Sequence, residues 1–299
     1  MQGLPKALGR CAVVGVPVLG LLVALGPAAG ASTANVRSHY RHYTGQALVT
    51  AKSNLEHMLK NWHGLDSWKG DYGLAGAKAS ANSNTVHALT KVDSTNWAGY
   101  ADTGTGFTKV VGKWVEPTAS CPSTGTPLAA FWVGIDGFAS DSVEQDGTLI
   151  QCDNGQASYF DWWELFPTNS VQVVNQVNPG DTIIASVTRS GDSYTLSVTD
   201  STTSSDSFST TQTSAGDQDS SAEWIAEAPS GSNGVLPLAP FGVWKEYNAS
   251  VSTATKTGDI PSFTDDEITM TDSSGNVEAQ PSGLNIWGGR FNVTFKSSS

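Results

Sequence analysis

After residue 94 the chain alternates between short apolar runs and polar segments, and this pattern predicts β-strands. The runs are rich in Val, Thr, Trp, Tyr and Phe, whereas the segments between them carry Gly, Asp, Asn, Ser and Pro. Such runs are typical of strands, and no window in this part has the period and length of a helix. The clearest predicted strands cover residues 108–115, 131–135, 159–165, 182–188, 194–199, 223–226 and 291–295.

The predicted strands indicate a single all-β domain over residues 92–299. Many short strands without intervening helices favour a sandwich of two antiparallel sheets, of the concanavalin A-like or jelly-roll type. Turn sequences at residues 178–181 and 190–192 bracket a predicted hairpin. We expect residues 250–299 to add strands to the same sheets.

The N-terminus has the order of charged, apolar and small residues that a secretory signal peptide requires. Lys6 and Arg10 precede an apolar run at residues 11–25, and small residues follow up to Ala31. We therefore predict a signal peptide at residues 1–31 and a secreted, extracellular protein without membrane association once the signal is removed. The alternative is an uncleaved membrane anchor, although the run is shorter than the roughly 20 residues that span a bilayer.

Residues 32–91 differ from the domain that follows them. They are mildly basic, contain histidine and include a predicted amphipathic helix at residues 48–59. A stretch rich in Gly, Ala, Ser and Asn at residues 70–84 is typical of a cleavable linker. We therefore predict a propeptide that inhibits the domain until it is removed. The alternative is an N-terminal extension without a role.

The cysteine content predicts one disulfide bond. Cys11 lies in the predicted signal peptide, which leaves Cys121 and Cys152 as the only pair. Outside the cell such a pair is expected to be bridged. The alternative is a nucleophilic cysteine, which the absence of histidine beyond residue 87 disfavours.

Charge and histidine content restrict the chemistry of the domain. From Ser94 onward there are 7 Lys and Arg against 24 Asp and Glu, a formal charge of −17, and the five histidines all precede residue 91. An acidic surface disfavours nucleic acid as a partner. Without histidine the domain lacks the base of Ser-His-Asp hydrolases and the imidazole ligands of the usual zinc sites. We expect carboxylate chemistry in acid, with no metal and no cofactor.

Five short motifs follow one another along the domain. They are STNWAG at residues 94–99, WVGIDG at 132–137, VEQDG at 143–147, WWELFP at 162–167 and AEWIAE at 222–227. In this order and with comparable spacing they resemble the glutamic peptidases called eqolisins, over residues 94–249. The resemblance implies a β-sandwich endopeptidase that is made with a signal and a propeptide and cleaves proteins or peptides in acid.

The resemblance also implies a catalytic pair, a glutamine and a glutamate. These match Gln145, which stands two residues before a glycine, and Glu227, which ends the last motif. Glu227 would activate water as general acid and base, and Gln145 would stabilise the oxyanion. Gln151 is the alternative glutamine, but it adjoins Cys152. The implied substrate-binding residues are Trp97, Trp132, Asp136, Trp162 and Glu164.

The sequence departs from the fungal members of the family at two places. Ala228 and Pro229 follow the implied glutamate where Asp-Phe follows it in fungal members, and Leu149 stands at a position that is acidic there. These departures leave open which substrate side chains the subsites prefer. For the oligomeric state we expect a monomer. Paired carboxylates in a tryptophan-lined groove also suit a glycosidase, and a sugar-binding sandwich without catalysis is a third reading.

Overall fold

The computed structural model describes residues 40–62, 89–138, 140–214 and 216–299. The predicted signal peptide at residues 1–31 and the predicted linker at residues 70–84 lie outside the described residues. Of the predicted propeptide, residues 40–62 and 89–91 are described. No helix in the described ranges is long and apolar enough to cross a membrane.

The described residues form one α-helix and nineteen strands, with short 3₁₀ segments at Ser204–Asp206 and Ile260–Ser262. In chain order the elements are α1 (Gly45–Leu59), β1 (Thr90–Ser94), β2 (Trp97–Thr103), β3 (Phe107–Val115), β4 (Leu128–Ile135), β5 (Val143–Asp153), β6 (Gln156–Phe166), β7 (Asn169–Gln176), β8 (Thr182–Ser190), β9 (Ser193–Asp200), β10 (Phe208–Thr213), β11 (Ser221–Glu227), β12 (Ser230–Gly231), β13 (Gly234–Val235), β14 (Val243–Glu246), β15 (Ser250–Thr253), β16 (Thr257–Gly258), β17 (Thr264–Thr271), β18 (Val277–Pro281) and β19 (Phe291–Phe295).

The strands build two packed layers. The first layer has the order β1-β17-β2-β11-β4-β5-β6-β7, and only the β1–β17 pair is parallel. The second layer runs β10-β9-β8-β3, and β3 continues to β15 and, through β14, to β19 and β18. A pairing of β17 with β18 joins the layers at one edge. The predicted all-β sandwich is confirmed, and each of the seven predicted strands lies within an observed one.

Alternating side chains decide which face of a strand serves the core. In β11, Trp224 and Ala226 lie in the core between the layers, whereas Ile225 belongs to a second apolar cluster on the opposite face. Aromatic pairs fill the core, such as Trp114 and Trp244 with ring centroids 5.7 Å apart. Both faces of the first layer are therefore buried: the inner face against the second layer, and the outer face on the side away from the sandwich core.

Helix α1 covers that outer face of the first layer. The helix predicted at residues 48–59 is confirmed and begins earlier, at Gly45. Its residues Leu55 and Leu59 are fully buried in the second apolar cluster. Burial of two leucines stabilises the contact by about 3 to 6 kcal/mol on an area basis. The segment therefore packs on the outer face of the first layer through apolar side chains.

The predicted disulfide bond between Cys121 and Cys152 is confirmed. It ties the connection between β3 and β4 to strand β5 across 31 residues. Closing a loop of that length restricts the unfolded chain by about 3 to 4 kcal/mol in the loop-entropy estimate. The bond thus fixes the far end of β5.

Candidate active site

Three tryptophans lie close together on the outer face of the first layer, which is turned away from the sandwich core. Trp97 begins β2, and Trp132 and Trp162 lie within β4 and β6. Trp132 is in register with Gly147 of β5, which is in register with Trp162. We call the surface formed by Trp97, Trp132 and Trp162 the tryptophan face.

Glu227 ends β11 on the tryptophan face, and its carboxylate is buried. Its Oε2 accepts a hydrogen bond from Nε1 of Trp132 at 2.9 Å. Its Oε1 accepts one from Nδ2 of Asn96 at 3.2 Å and one from Nε1 of Trp62 at 2.7 Å. An ionised carboxylate only accepts hydrogen bonds, so N–H donors at both oxygens favour its charged form. Because these donors are neutral, the carboxylate can still take up a proton.

Gln145 faces the same side of the first layer, and Glu164 on β6 is its cross-strand neighbour. Nε2 of Gln145 donates a hydrogen bond to Oε2 of Glu164 at 2.7 Å. Burial raises the pKa of Glu164 well above its usual range, and the charge of Glu227 raises it further, against the lowering effect of the Gln145 N–H. Glu164 is therefore neutral in acid. It fixes the Gln145 amide and leaves the second N–H of that amide for another acceptor.

Gln145 and Glu227 lie two strands apart, with β4 between them. Gln145 is in register with Gly134 and Glu227 with Ala130, so the two residues stand at levels four residues apart along β4. The indole of Trp132 belongs to the strand segment between those levels and reaches Glu227. A peptide laid on the tryptophan face can therefore have the amide on one side and the carboxylate on the other.

Two glycines make room for the indole of Trp132. A Cβ on Gly134 would lie 2.8 Å from Cζ3 of Trp132. A Cβ on Gly147 would lie 2.0 Å from the carbonyl oxygen of Phe131, closer than any real side chain approaches. The glycines in the second and third sequence motifs are therefore required by the packing of β4, β5 and the indole.

Gln151, the alternative glutamine, lies on the same strand as Gln145. Gln151 is in register with Leu128 of β4, which is two residues from Ala130, the β4 residue in register with Glu227. Gln145 is in register with Gly134, four residues from Ala130, so Gln151 is nearer to Glu227 along β4. However, Gln151 is partly exposed, whereas Gln145 is buried and bonded to Glu164. Because the charge of Glu227 acts on Glu164, the Gln145 side of the face lies within electrostatic reach of the carboxylate.

Asp136 follows β4 in the left-handed conformation, with φ of 67°. Its Oδ2 accepts the backbone N–H groups of Gln218 at 3.0 Å and Asp219 at 2.8 Å. Its Oδ1 accepts the backbone N–H and the hydroxyl of Ser220, both at 2.8 Å. These four donors make Asp136 the anchor of the segment that leads into β11.

Some buried polar atoms on the tryptophan face make no hydrogen bond to another described residue. Oε1 of Gln145 and the indole nitrogens of Trp97 and Trp162 are buried and have no hydrogen-bond partner among the described residues. A buried polar group without a partner costs about 1 to 3 kcal/mol. Such groups suit the backbone of a bound peptide, which offers one donor and one acceptor per residue.

The segment of residues 40–62 covers the tryptophan face. Leu55, Leu59 and Trp62 are buried in its apolar cluster. The ring of Trp62 packs against that of Trp162 with centroids 4.6 Å apart. Because Nε1 of Trp62 also donates to Glu227, the cover contacts the candidate catalytic carboxylate itself.

Hydrogen bonds at the rim anchor the same segment. The backbone N–H of Arg41 donates to the carbonyl oxygen of Ala157 at 2.6 Å, and the backbone N–H of Val173 donates to Oε1 of Glu56 at 3.0 Å. Within the described ranges one ion pair, Arg41 to Asp153 at 3.0 Å, joins the segment to the domain. Apolar burial and hydrogen bonds therefore hold the cover more than charge does.

Asn96 and Trp62 have no role among the residues predicted from the sequence. Asn96 stands in the first motif, but its contact with Glu227, 131 residues away, depends on the pairing of β2 with β11. Trp62 follows the predicted helix without any motif of its own. Only the packed structure reveals that both side chains meet the glutamate.

A family model, a curated relative and solved structures that resemble this chain all belong to one group of peptidases. The Peptidase A4 family matches residues 95–283. Aspergillopepsin-2 of Aspergillus niger is 27% identical over 225 residues, which are 68% of this chain and 78% of that protein. A crystal structure of scytalido-glutamic peptidase with a peptide-based transition state analog superimposes with a TM-score of 0.58 at 24% identity, over 68% of this chain and 98% of that one. Aspergilloglutamic peptidase from Aspergillus niger gives a TM-score of 0.50 at 26% identity, over 56% of this chain and 99% of that one.

Proposed function

The chain belongs to the peptidase A4 family of glutamic endopeptidases, and from this premise we propose that Glu227 and Gln145 hydrolyse peptide bonds in acid once residues 40–62 have left. The observation that carries the proposal is the buried Glu227 carboxylate, which has N–H donors at both oxygens and shares the tryptophan face with the Gln145 amide. Family membership favours a peptidase over the glycosidase and sugar-binding alternatives.

Glu227 acts as general base and then as general acid. Its ionised carboxylate takes a proton from a water molecule while the water oxygen attacks the scissile carbonyl carbon. The resulting tetrahedral intermediate collapses when Glu227 returns the proton to the leaving nitrogen and the carbon–nitrogen bond breaks. The neutral donors Asn96 and Trp132 support this cycle because they favour the anion without a permanent positive charge.

Gln145 stabilises the oxyanion that develops on the scissile carbonyl oxygen. One of its N–H groups is held by Glu164, and in the proposed mechanism the other donates to the developing charge. A preorganised donor of this kind contributes about 3 to 4 kcal/mol to the transition state. Glu164 is thus a positioning residue for the amide of Gln145.

The tryptophan face binds the substrate. Trp97 and Trp162 supply apolar surface and two buried indole N–H groups for substrate carbonyl oxygens. Leu149 is in register with Ala130, as Glu227 is, and lines the same face with an apolar side chain. Apolar substrate side chains are therefore preferred next to the cleaved bond.

Residues 40–62 form the inhibitory part of a propeptide in a secreted precursor. With Trp62 bonded to Oε1 of Glu227, neither a water molecule nor a substrate can use that oxygen. Removal of the segment takes away the contacts of Trp62 with the carboxylate and with Trp162. Within residues 40–62 a single ion pair, Arg41 to Asp153, reaches the domain, so apolar burial supplies the larger part of this contact.

Cleavage of a denatured protein substrate at pH 3 to 4 tests the catalytic pair. A recognition sequence for an added protease, placed between residues 62 and 89, lets inactive variants be matured in the same way as the wild type. We expect Glu227→Gln to lose activity by at least about a thousandfold, and Gln145→Ala by about a hundred- to a thousandfold. Full proteolysis by either variant would refute the assignment.

Two matched variants complete the test. Glu223 lies on the same face of β11 as Glu227, four residues before it, and Glu223→Gln is expected to keep activity within a few-fold. Gln151→Ala separates the two glutamines, because it is expected to leave kcat nearly unchanged. If Gln151→Ala lost most of its kcat while Gln145→Ala remained active, the oxyanion-stabilising role would belong to Gln151 instead of Gln145.

A further inference from the structure

The turn between β1 and β2 carries a polar arrangement that the proposed catalytic pair does not explain. We propose that Asn96 is a positioning residue that keeps Glu227 ionised in acid and determines which lone pair of its carboxylate meets the water. This inference rests on the proposed function of Glu227.

The turn holds Asn96 in place at its backbone. The hydroxyl oxygen of Ser94 accepts the backbone N–H groups of Asn96 at 3.3 Å and Trp97 at 3.1 Å. The carbonyl oxygen of Asn96 accepts the backbone N–H of Ala228 at 2.8 Å, directly after Glu227. Asn96 is thus fixed to both strands that meet at the carboxylate.

The side-chain amide of Asn96 has a defined orientation. The hydroxyl of Ser94 donates to its Oδ1 at 3.1 Å, so this end of the amide is the acceptor. The other end, Nδ2, therefore donates to Oε1 of Glu227 at 3.2 Å. Both Ser94 and Asn96 are buried, so water competes little for these bonds.

Three N–H donors of the described residues reach the two oxygens of Glu227. Trp132 holds Oε2, while Asn96 and Trp62 share Oε1. When residues 40–62 leave, Oε1 keeps the bond from Asn96 and loses the bond from Trp62, so the indole N–H no longer occupies its position beside this oxygen. That position is where Oε1 can accept the proton of the attacking water.

Among the described residues, two buried carboxyl groups on the face of Glu227 bear little charge in acid. Glu164 faces it from β6 and Glu223 shares its face of β11, and burial raises the pKa of each well above its usual range. The charged and titratable groups of residues 40–62, which include Glu56, His57 and Lys60, leave with that segment. The N–H donors Asn96 and Trp132, which belong to the domain itself, therefore favour the ionised form of Glu227 in the matured enzyme.

The pH dependence of kcat/KM tests this role in the matured enzyme. In Asn96→Ala the acidic limb, where activity falls as Glu227 takes a proton, is expected to move up by about one pH unit, a loss of about tenfold at the most acidic pH. Activity near the upper end of the profile and KM should change little. Asn96→Asp should move the limb further, because an ionised neighbour disfavours the Glu227 anion. Ser94→Ala should cause a smaller shift in the same direction.

A matched control is Asn178→Ala, which removes a similar amide-to-carboxylate bond, 3.0 Å to Asp181, away from the tryptophan face. It should change thermal stability without moving the acidic limb. A loss in Asn96→Ala that is uniform across pH, or an unshifted limb in both Asn96→Ala and Ser94→Ala, overturns the proposal. Activity in Glu227→Gln would instead overturn the proposed function, so the two failures are distinct.

Discussion

The indole nitrogen of Trp62 lies 2.7 Å from Oε1 of Glu227, although 165 residues separate them in the chain. The indole is a hydrogen-bond donor only, and it is delivered to the carboxylate by a helix whose leucines are buried on the same face. One side chain thus packs against Trp162 and occupies an oxygen of the carboxylate that the proposed mechanism uses.

Loss of the Trp62 side chain should weaken inhibition. A buried tryptophan at the centre of a contact contributes at least about 2 kcal/mol, so a peptide of residues 40–62 with Trp62→Ala should inhibit the matured enzyme about thirtyfold less well than the wild-type peptide. Val49→Ala is the control, because Val49 is 58% exposed on the same helix and should leave inhibition unchanged. The inhibition constants at pH 5 to 6 provide the measurement, and equal values for the two variants would contradict an indole-centred block.

Two glycine substitutions should separate stability from activity. Gly147→Ala places a methyl group against the backbone of β4, so it should lower the free energy of unfolding by about 2 kcal/mol or more. Gly134→Ala meets the indole of Trp132 instead, so it should displace the donor to Glu227 and reduce kcat/KM with a smaller loss of stability. Denaturant unfolding and peptide cleavage, measured on both variants, test the contrast. The same ratio of the two losses in both variants would be inconsistent with it.

The sequence predicts the strands, the helix and the disulfide because each depends on local pattern or on a count of two cysteines. The arrangement around Glu227 could not be predicted in the same way. Asn96 meets it only because β2 pairs with β11 in one register, and Trp62 only because α1 packs on the outer face. Asp136 shows the converse, since it stands in a motif with the site residues and yet binds the backbone of residues 218–220.

The disulfide should matter to stability and little to catalysis. Replacing Cys121 and Cys152 together with serine should lower the free energy of unfolding by about 3 to 4 kcal/mol, because the unfolded chain regains the freedom of a 31-residue loop. The bond lies at the end of β5 remote from Gln145, so kcat should change little under conditions where the variant is folded. Urea unfolding at pH 4 measures the loss, and a change below 1 kcal/mol would argue against a role for the bond.

Buried carboxyl groups away from the catalytic pair should make the domain more stable in acid than near neutral pH. Burial raises the pKa of Glu116 to about 8, of Glu246 to about 8, of Asp161 to about 7 and of Glu144 to about 10. In the unfolded chain the pKa of each of these groups is near 4, so between pH 4 and the raised pKa the folded state binds more protons than the unfolded state. The stability they contribute is complete below about pH 4 and is lost as pH rises through 7 to 10. Melting temperatures should therefore fall from pH 4 to pH 9.

Glu116→Gln isolates one of these groups. Oε2 of Glu116 accepts the hydroxyl of Thr148 at 2.6 Å and the indole N–H of Trp114 at 3.2 Å, and a glutamine oxygen can accept both without ever ionising. The difference in unfolding free energy between pH 5 and pH 9 should therefore shrink by on the order of 3 kcal/mol relative to the wild type. Asp272→Asn is the control, because hydrogen bonds from Asn276 lower the pKa of Asp272, which lies at the surface, so its ionisation is complete below pH 5. If Glu116→Gln and Asp272→Asn both kept the wild-type slope, the acid preference of the fold would have to come from other groups.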